Sequence, residues 1–435
     1  MSDSPGKFAL SLVAGATLVV LLLISLGIDW GKVSAGGTID FRNRITGARL
    51  LWSHRDAYHY KWKMHASPEL CDPYNNPVLP ISRVTVTPTL LMLNFPLGAL
   101  PYRVAQFIWL LGQWLLLLGA GFLWWRAIPT TGLRWLWAAA LVGFTFTVAW
   151  RHHTDRGQAY VVMLFLLAAW MALTRHPQIG SRWWGALLAG LVAGLLVAVR
   201  PPLVLLLGPW ILLRRRGQLA GLVLGVALGA GLPLLWSSSC WSDYFSGMQT
   251  WSELYRAGKG NPPPGPQAYP PVIEGMSIDV LARFGRSIPF ADSSIFGFFR
   301  AWGIMNVPAL PVALVFVALV GLWFWLSRAQ PDDVLFLGIA AWSLLADLFL
   351  PAPRNSYNEV LVLNLVALVL IMRGRHAWML WILLAAWPAG WWVIRTLPRE
   401  RGLINLPTLI MIAASVLLLL RPVFGKPRPE PGALT

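Results

Sequence analysis

The side chains of this sequence with chemistry to offer stand just after its first apolar run and at the ends of later ones. Asp40 follows the run 8–28 by about a dozen positions and opens Asp40-Phe41-Arg42-Asn43-Arg44-Ile45-Thr46-Gly47-Ala48-Arg49-Leu50-Leu51-Trp52, a short amphipathic stretch. A carboxylate held at a membrane surface beside arginines is unfavourable without a purpose. It can act as general base on a hydroxyl next to a lipid-borne phosphate, or it can cap the helix that follows it. Asp29 and Asp56 are rival carboxylates, read as an interface marker at the end of the first run and as part of a turn after the helix.

Three further clusters are basic. Arg151-His152-His153-Thr154-Asp155-Arg156-Gly157-Gln158 is the densest polar cluster between two apolar runs. It reads either as a solvated loop or as the polar floor of a cavity. In the second reading Arg151 meets a phosphate, and His153, Asp155 and Gln158 meet sugar hydroxyls. Arg200, before Pro201-Pro202, is either a snorkelling anchor or a second phosphate ligand. In Arg354-Asn355-Ser356-Tyr357-Asn358-Glu359, Arg354 is a third candidate for phosphate, and Tyr357 and Asn358 for a sugar or acceptor. No metal is expected, because His152 and His153 are consecutive and cannot both face one site on a helix. The sequence holds no Walker A loop, GxGxxG, GxSxG or HExxH, so neither nucleotide hydrolysis nor a soluble redox cofactor is supported, and no cofactor is expected.

The elements that must position these residues are membrane helices. Of the 435 residues, 57% are hydrophobic and 12% charged, against about 25% charged in soluble domains. Apolar runs at 8–28, 102–125, 135–150, 160–174, 183–199, 202–213, 219–236, 308–326, 334–350, 358–372, 377–393 and 407–420 are separated by short basic loops. The expected fold is all-α: one polytopic transmembrane domain over 1–435 with about 12 transmembrane helices and interfacial helices in its first outer loop. Several runs fall short of a straight span, which broken helices lining a cavity allow. The 26 Trp residues, many at run ends, fit interfacial belts.

The net charge of +17 arises from 35 Lys+Arg against 18 Asp+Glu. Treating 84–101 as interfacial or re-entrant brings Arg126–Arg134, Arg175–Arg182, Arg214–Arg216, Arg328 and Arg373–Arg375 to the inside, with both termini cytoplasmic. Two large outer loops remain: 29–101, and a proline-rich 237–307 expected to form an extended lid or loop. The tail 422–435 is expected to be disordered and cytoplasmic. Lys32, Arg42, Arg44, Arg49, Arg55, Lys61 and Lys63 in the first loop point to anionic headgroups or phosphates of membrane lipids rather than nucleic acid, since the charge is dispersed among hydrophobic runs. Cys71 and Cys240 fall one in each outer loop, either bridged across the outer face or as separate thiols.

In their order these residues resemble the membrane glycosyltransferases of the GT-C superfamily, and more narrowly glycosyltransferase family 87, the polyprenyl-phosphate-mannose-dependent mannosyltransferase-like proteins. The resemblance rests on Ile39-Asp40-Phe41, Thr46-Gly47-Ala48-Arg49-Leu50-Leu51, Thr87-Pro88-Thr89-Leu90, Pro96-Leu97-Gly98-Ala99-Leu100-Pro101 with Ala105 and Trp109, Gly157-Gln158, Arg200-Pro201 and Arg214–Arg216. Where similar proteins often carry His-Tyr at an outer turn, this chain has Ser356-Tyr357-Asn358. The resemblance implies a sugar donor on a polyprenyl phosphate, delivered at the outer face of a cell (inner) membrane, with the site facing the periplasm or outside. Asp40 would be the base toward a lipid or glycan acceptor hydroxyl, and Arg200, Arg151 and Arg354 would stabilise the leaving phosphate, with inversion at the anomeric carbon. A lipid-linked glycan transporter or flippase and a structural subunit of a membrane complex are the alternatives. The former would show charged residues within spans and internal repeats, and the latter has no need of Asp40.

Overall fold

The computed structural model describes residues 5–35, 38–59, 84–176, 178, 182–257, 294–301, 303–372, 413, 415–417 and 419. Among them 82% are helical and none lies in a strand, which is the all-α architecture that apolar runs without alternation call for. The first half contributes α1 (Pro5–Ser34), α2 (Ile39–Trp52), α3 (Pro88–Leu93), α4 (Phe95–Gly98), α5 (Tyr102–Ala127), α6 (Thr131–Phe144), α7 (Val148–Arg156) and α8 (Tyr160–Arg175). The second half contributes α9 (Trp183–Val199), α10 (Val204–Arg214), α11 (Leu219–Gly231), α12 (Cys240–Arg256), α13 (Ile295–Ala301), α14 (Ala309–Ser327), α15 (Asp332–Leu345) and α16 (Val362–Ile371). Short 3-10 stretches at Pro201–Leu203, Ala346–Phe349 and Ser356–Leu361 lead into or out of these helices.

Four helical stretches among the described residues are long and apolar enough to cross a membrane: Ser11–Ser34, Tyr102–Ala127, Arg216–Leu235 and Ala309–Ser327. A fifth is counted if α6 and α7, bent by 55° at their junction, form one broken span. The bend is set by Thr145 and Thr147, whose hydroxyls donate to the carbonyls of Val142 and Phe144 and draw the chain out of the helical path. All five overlap expected runs. The apolar helices α8, α9 and α10 and the turn-plus-helix Ser356–Ile371 are shorter, and 377–393 and most of 407–420 lie outside the described residues. Segment 84–101 forms the short helices α3 and α4; six residues of α helix rise only about 9 Å, too little to cross.

Lipid offers no hydrophobic drive to helix pairing, so close packing and buried polar bonds hold such a bundle. α9 and α11 meet backbone to backbone. A Cβ on Gly190, Gly194, Gly221 or Gly225 would collide with the opposing carbonyls of Gln218, Leu222, Leu187 and Leu191 respectively. Buried Trp124 Nε1 donates to Asn364 Oδ1 at 2.8 Å, joining α5 to α16, and Trp170 Nε1 donates to Gln218 Oε1 at 3.2 Å. Leu310, Leu314, Leu319 and Leu322 of α14 stay exposed, as a lipid-facing surface requires.

α2 buries most of its residues within the protein. Phe41, Ile45, Ala48, Leu50 and Leu51 are buried, and so are its polar residues Arg42, Asn43, Arg44 and Thr46. Arg49 donates to the carbonyls of Gly98 and Leu100, tying α2 to α4 and the turn after it. Arg44 and Arg49 of the first loop thus have partners within the protein. Residues 240–256 are helical rather than an extended lid, while the prolines of 262–271 lie outside the described residues. Cys240 is buried and Cys71 also lies outside the described residues.

Candidate active site

Asp40 stands in the first turn of α2, where the helix dipole favours a negative charge. The capping position belongs instead to Thr38, whose left-handed backbone (φ 68°) is held by its neighbours. Gln106 Nε2 donates to Thr38 Oγ1 at 2.6 Å, Tyr102 Oη lies 2.9 Å from the same oxygen, and the Thr38 amide donates to the Asp155 carbonyl. The alternative reading of Asp40 as the helix cap does not hold, and its carboxylate is left for other partners. Gln158 Nε2 donates to Asp40 Oδ2 at 2.5 Å, and Arg156 Nη1 lies 3.9 Å from Oδ1.

Arg44, one turn further along the same face of α2, completes the arrangement. Its Nη2 donates to Gln158 Oε1 (2.7 Å) and its Nη1 to the Gly157 carbonyl (2.5 Å), which also receives Trp109 Nε1 (3.0 Å). Because Arg44 fixes the amide oxygen of Gln158, the amide nitrogen must point at Asp40. Burial pushes the Arg44 guanidinium below its usual value, and the Asp40 charge works against that shift. Gly157 is required twice over. Its φ is 67°, and a Cβ there would meet Phe41 Cβ at 2.7 Å and Thr38 Cβ at 3.2 Å.

A second hydrogen-bonded group is carried by the breaks after α9 and α15. Arg200 precedes two prolines, which restrict its backbone to extended conformations, and it ion-pairs with Asp347 of the turn Ala346–Phe349. Asn358 Nδ2 donates to Asp347 Oδ2 at 2.6 Å and to Tyr160 Oη at 2.8 Å. The Arg200 guanidinium lies 5.9 Å from the Tyr160 ring centre, and the Tyr160 and Tyr357 rings are 5.8 Å apart.

Both groups line one cavity of about 370 Å³. Asp40, Arg44, Gln158, Tyr160, Arg200, Asp347, Tyr357 and Asn358 are part of its polar lining, and Leu90, Met163, Val199 and Pro201 part of its apolar lining. One face of α12 adds Tyr244, Met248, Trp251 and Ser252. Tyr58, whose hydroxyl burial holds well above its ordinary value, donates to the Val86 carbonyl and packs edge-on against Tyr244.

Of the expected site residues, Asp40, Gln158, Arg200, Tyr357 and Asn358 therefore meet, and Arg151, His153, Asp155 and Arg354 are not in the lining. Arg151 is committed elsewhere: its Nη1 lies 2.5 Å from Asp29 Oδ1 and also donates to the Ser25 carbonyl. Asp29, read as an interface marker, is fully buried and accepts further bonds from Trp114, Trp150 and Thr154. His153 is buried against Trp150 and accepts the Val161 amide at its Nε2. Asp155 contributes its backbone carbonyl to Thr38, and Arg354 is buried. A histidine does stand by Tyr357, but it comes from α7: His152 Nδ1 is 3.0 Å from Ser356 Oγ, with its ring edge-on to Tyr357.

Asp347, Arg44 and the α12 face were missed. Asp347 is an acid inside the apolar run 334–350, a signal in itself. Arg44 sits four residues after Asp40, and Tyr244, Met248, Trp251 and Ser252 recur at helical spacing. For a metal, Asp56, His59 and Asp243 bring ligand atoms within 4.8 Å of one another, none of them in the cavity lining. There Asp56 is engaged in its own turn, accepting the amides of Tyr58 and His59.

The fold is thus an all-helical bundle of apolar helices with a cavity that sets carboxylates and arginines beside an apolar lining. The sequence model of glycosyltransferase family 87 matches residues 85–353. That is more than half of the chain, which thus belongs to this family and is a membrane glycosyltransferase. Neither a curated protein nor a solved structure matches it.

Proposed function

We propose that the cavity binds a polyprenyl-phosphate-linked hexose or pentose, mannose-like, and transfers the sugar to a hydroxyl of a lipid or glycan acceptor at the outer face of the membrane. The observation that carries this reading is the meeting of Asp40 and Arg200 in one cavity with both polar and apolar lining. Arg200 would hold the donor phosphate, Gln158, Tyr357 and Asn358 the hydroxyls, and the face of α12 with Leu90 and Met163 the first isoprene units. Asp40, held by Gln158, would take the acceptor proton as the hydroxyl oxygen attacks the anomeric carbon. The bond from that carbon to the phosphate oxygen breaks with its electron pair on the phosphate, where cationic charge lowers the barrier. One carboxylate base without a covalent nucleophile gives inversion.

The test is turnover of a polyprenyl-phosphate sugar by the full chain in proteoliposomes. Asp40→Asn keeps the size of the side chain and removes the base, so transfer is expected to fall about 10²–10⁴-fold with an unchanged unfolding midpoint. Near-normal turnover in that variant would remove Asp40 from the role.

A further inference from the structure

We propose that Asp347 makes the site prefer the sugar-bearing lipid phosphate over the sugar-free one it leaves behind, by serving as counter-ion of Arg200 in the empty cavity and as acceptor of sugar hydroxyls in the loaded one. This rests on the assignment of Arg200 to the donor phosphate. Asp347 is buried, its carboxylate ion-paired to Arg200 and bonded to Asn358 Nδ2 at 2.6 Å. Both residues line the cavity beside Tyr160. The Arg200 side chain is 27% exposed and that of Asp347 only 6%. Arg200 can therefore turn toward an incoming anion, whereas Asp347 stays behind in a poorly solvated place.

A buried carboxylate that loses its cation must find other donors. The donor brings both things the pair needs: a phosphate for Arg200 and hydroxyls for Asp347. The product brings only the phosphate. Charge sharpens the difference. The donor is a phosphodiester with one negative charge, whereas the released monoester carries nearly two at neutral pH. A bare arginine would hold the product more firmly, and a neighbouring carboxylate opposes that extra charge. The pair thus favours entry of the loaded lipid and exit of the spent one. The same logic gives Asn358 its place, since it keeps one hydrogen bond on Asp347 while Arg200 is away.

The experiment measures binding of farnesyl phosphate and of its mannose ester to the full-length protein in lipid nanodiscs. In the unmodified protein the mannose ester is expected to bind at least about tenfold more tightly; equal affinities would overturn the proposal without any variant. In Asp347→Asn, farnesyl phosphate is expected to bind about tenfold more tightly than before, and the preference for the mannose ester to fall toward one. Tightening is a gain that loss of structure does not produce, and an unchanged preference in a folded variant would overturn the assignment of Asp347. Arg200→Gln separates the two levels of the argument. Both ligands are expected to weaken; if neither does, the phosphate role of Arg200 fails and this proposal with it. Weakening in Arg200→Gln with an unaltered preference in Asp347→Asn removes Asp347 alone.

Discussion

Gln158 governs the direction of the Asp40 carboxylate. Its amide is gripped at the oxygen by Arg44 and delivers its nitrogen to Asp40 at 2.5 Å. Gln158→Ala is expected to lower transfer about tenfold or more through a misdirected base. It should also lower stability by about 1–3 kcal/mol, since the buried Arg44 loses an acceptor; turnover and thermal unfolding in detergent check the two effects separately. Gln158→Glu offers Arg44 a stronger partner but sets a second carboxylate against Asp40, so stability should hold better than activity. Asp40 and Gln158 were both legible from the sequence, because an acid after the first span and a Gly-Gln before a later one are rare polar marks in an apolar chain. Asp347 was not, because in sequence it reads as the tail of an apolar run, and only folding brings Arg200 to it from 147 positions away.

At the scale of elements, the site depends on how α7 ends and how α9 packs. Gly157→Ala is expected to lose at least about 1 kcal/mol from the left-handed backbone alone, with more from the contact on Phe41, and to displace Gln158. A lower unfolding midpoint together with reduced transfer is the outcome to look for. α7 is also pinned to α1 by the Asp29–Arg151 pair. Arg151→Met leaves a buried carboxylate uncompensated and is expected to cost about 3–5 kcal/mol, whereas Asp29→Leu with Arg151→Met restores much of it. Donor affinity in the folded fraction should be unchanged in both. A specific loss of donor binding would return Arg151 to the phosphate. The basic cluster at 151–158 misled the sequence reading for this reason: opposite charge from α1, more than a hundred residues earlier, consumes its first arginine, and short-range spacing does not reveal that. The α12 face was missed because the proline density that follows it masked a helical period.

For the whole molecule, the described residues present exposed apolar helix faces and a cavity with polar lining. Apolar composition made the helical membrane class plain from the sequence. The pairing of α9 with α11 needed the facing glycines to be seen together, and the bend between α6 and α7 needed the threonine hydroxyls that end α6. On the proposed reading the cavity opens at the outer face. Ser252→Cys, in a Cys71→Ser/Cys240→Ser background, is then expected to react with a membrane-impermeant maleimide added to intact cells, and to be protected by farnesyl phosphate. Labelling only after the membrane is permeabilised would reverse the orientation. The most direct measurement of the central claim is the density of a sugar-bearing polyprenyl phosphate bound to the full-length Asp40→Asn protein. The expected density has the phosphate within hydrogen-bonding distance of Arg200, the isoprenoid against α12, and the face of the anomeric carbon opposite the phosphate turned toward position 40. A phosphate seated away from Arg200, or a sugar turned away from position 40, would contradict it.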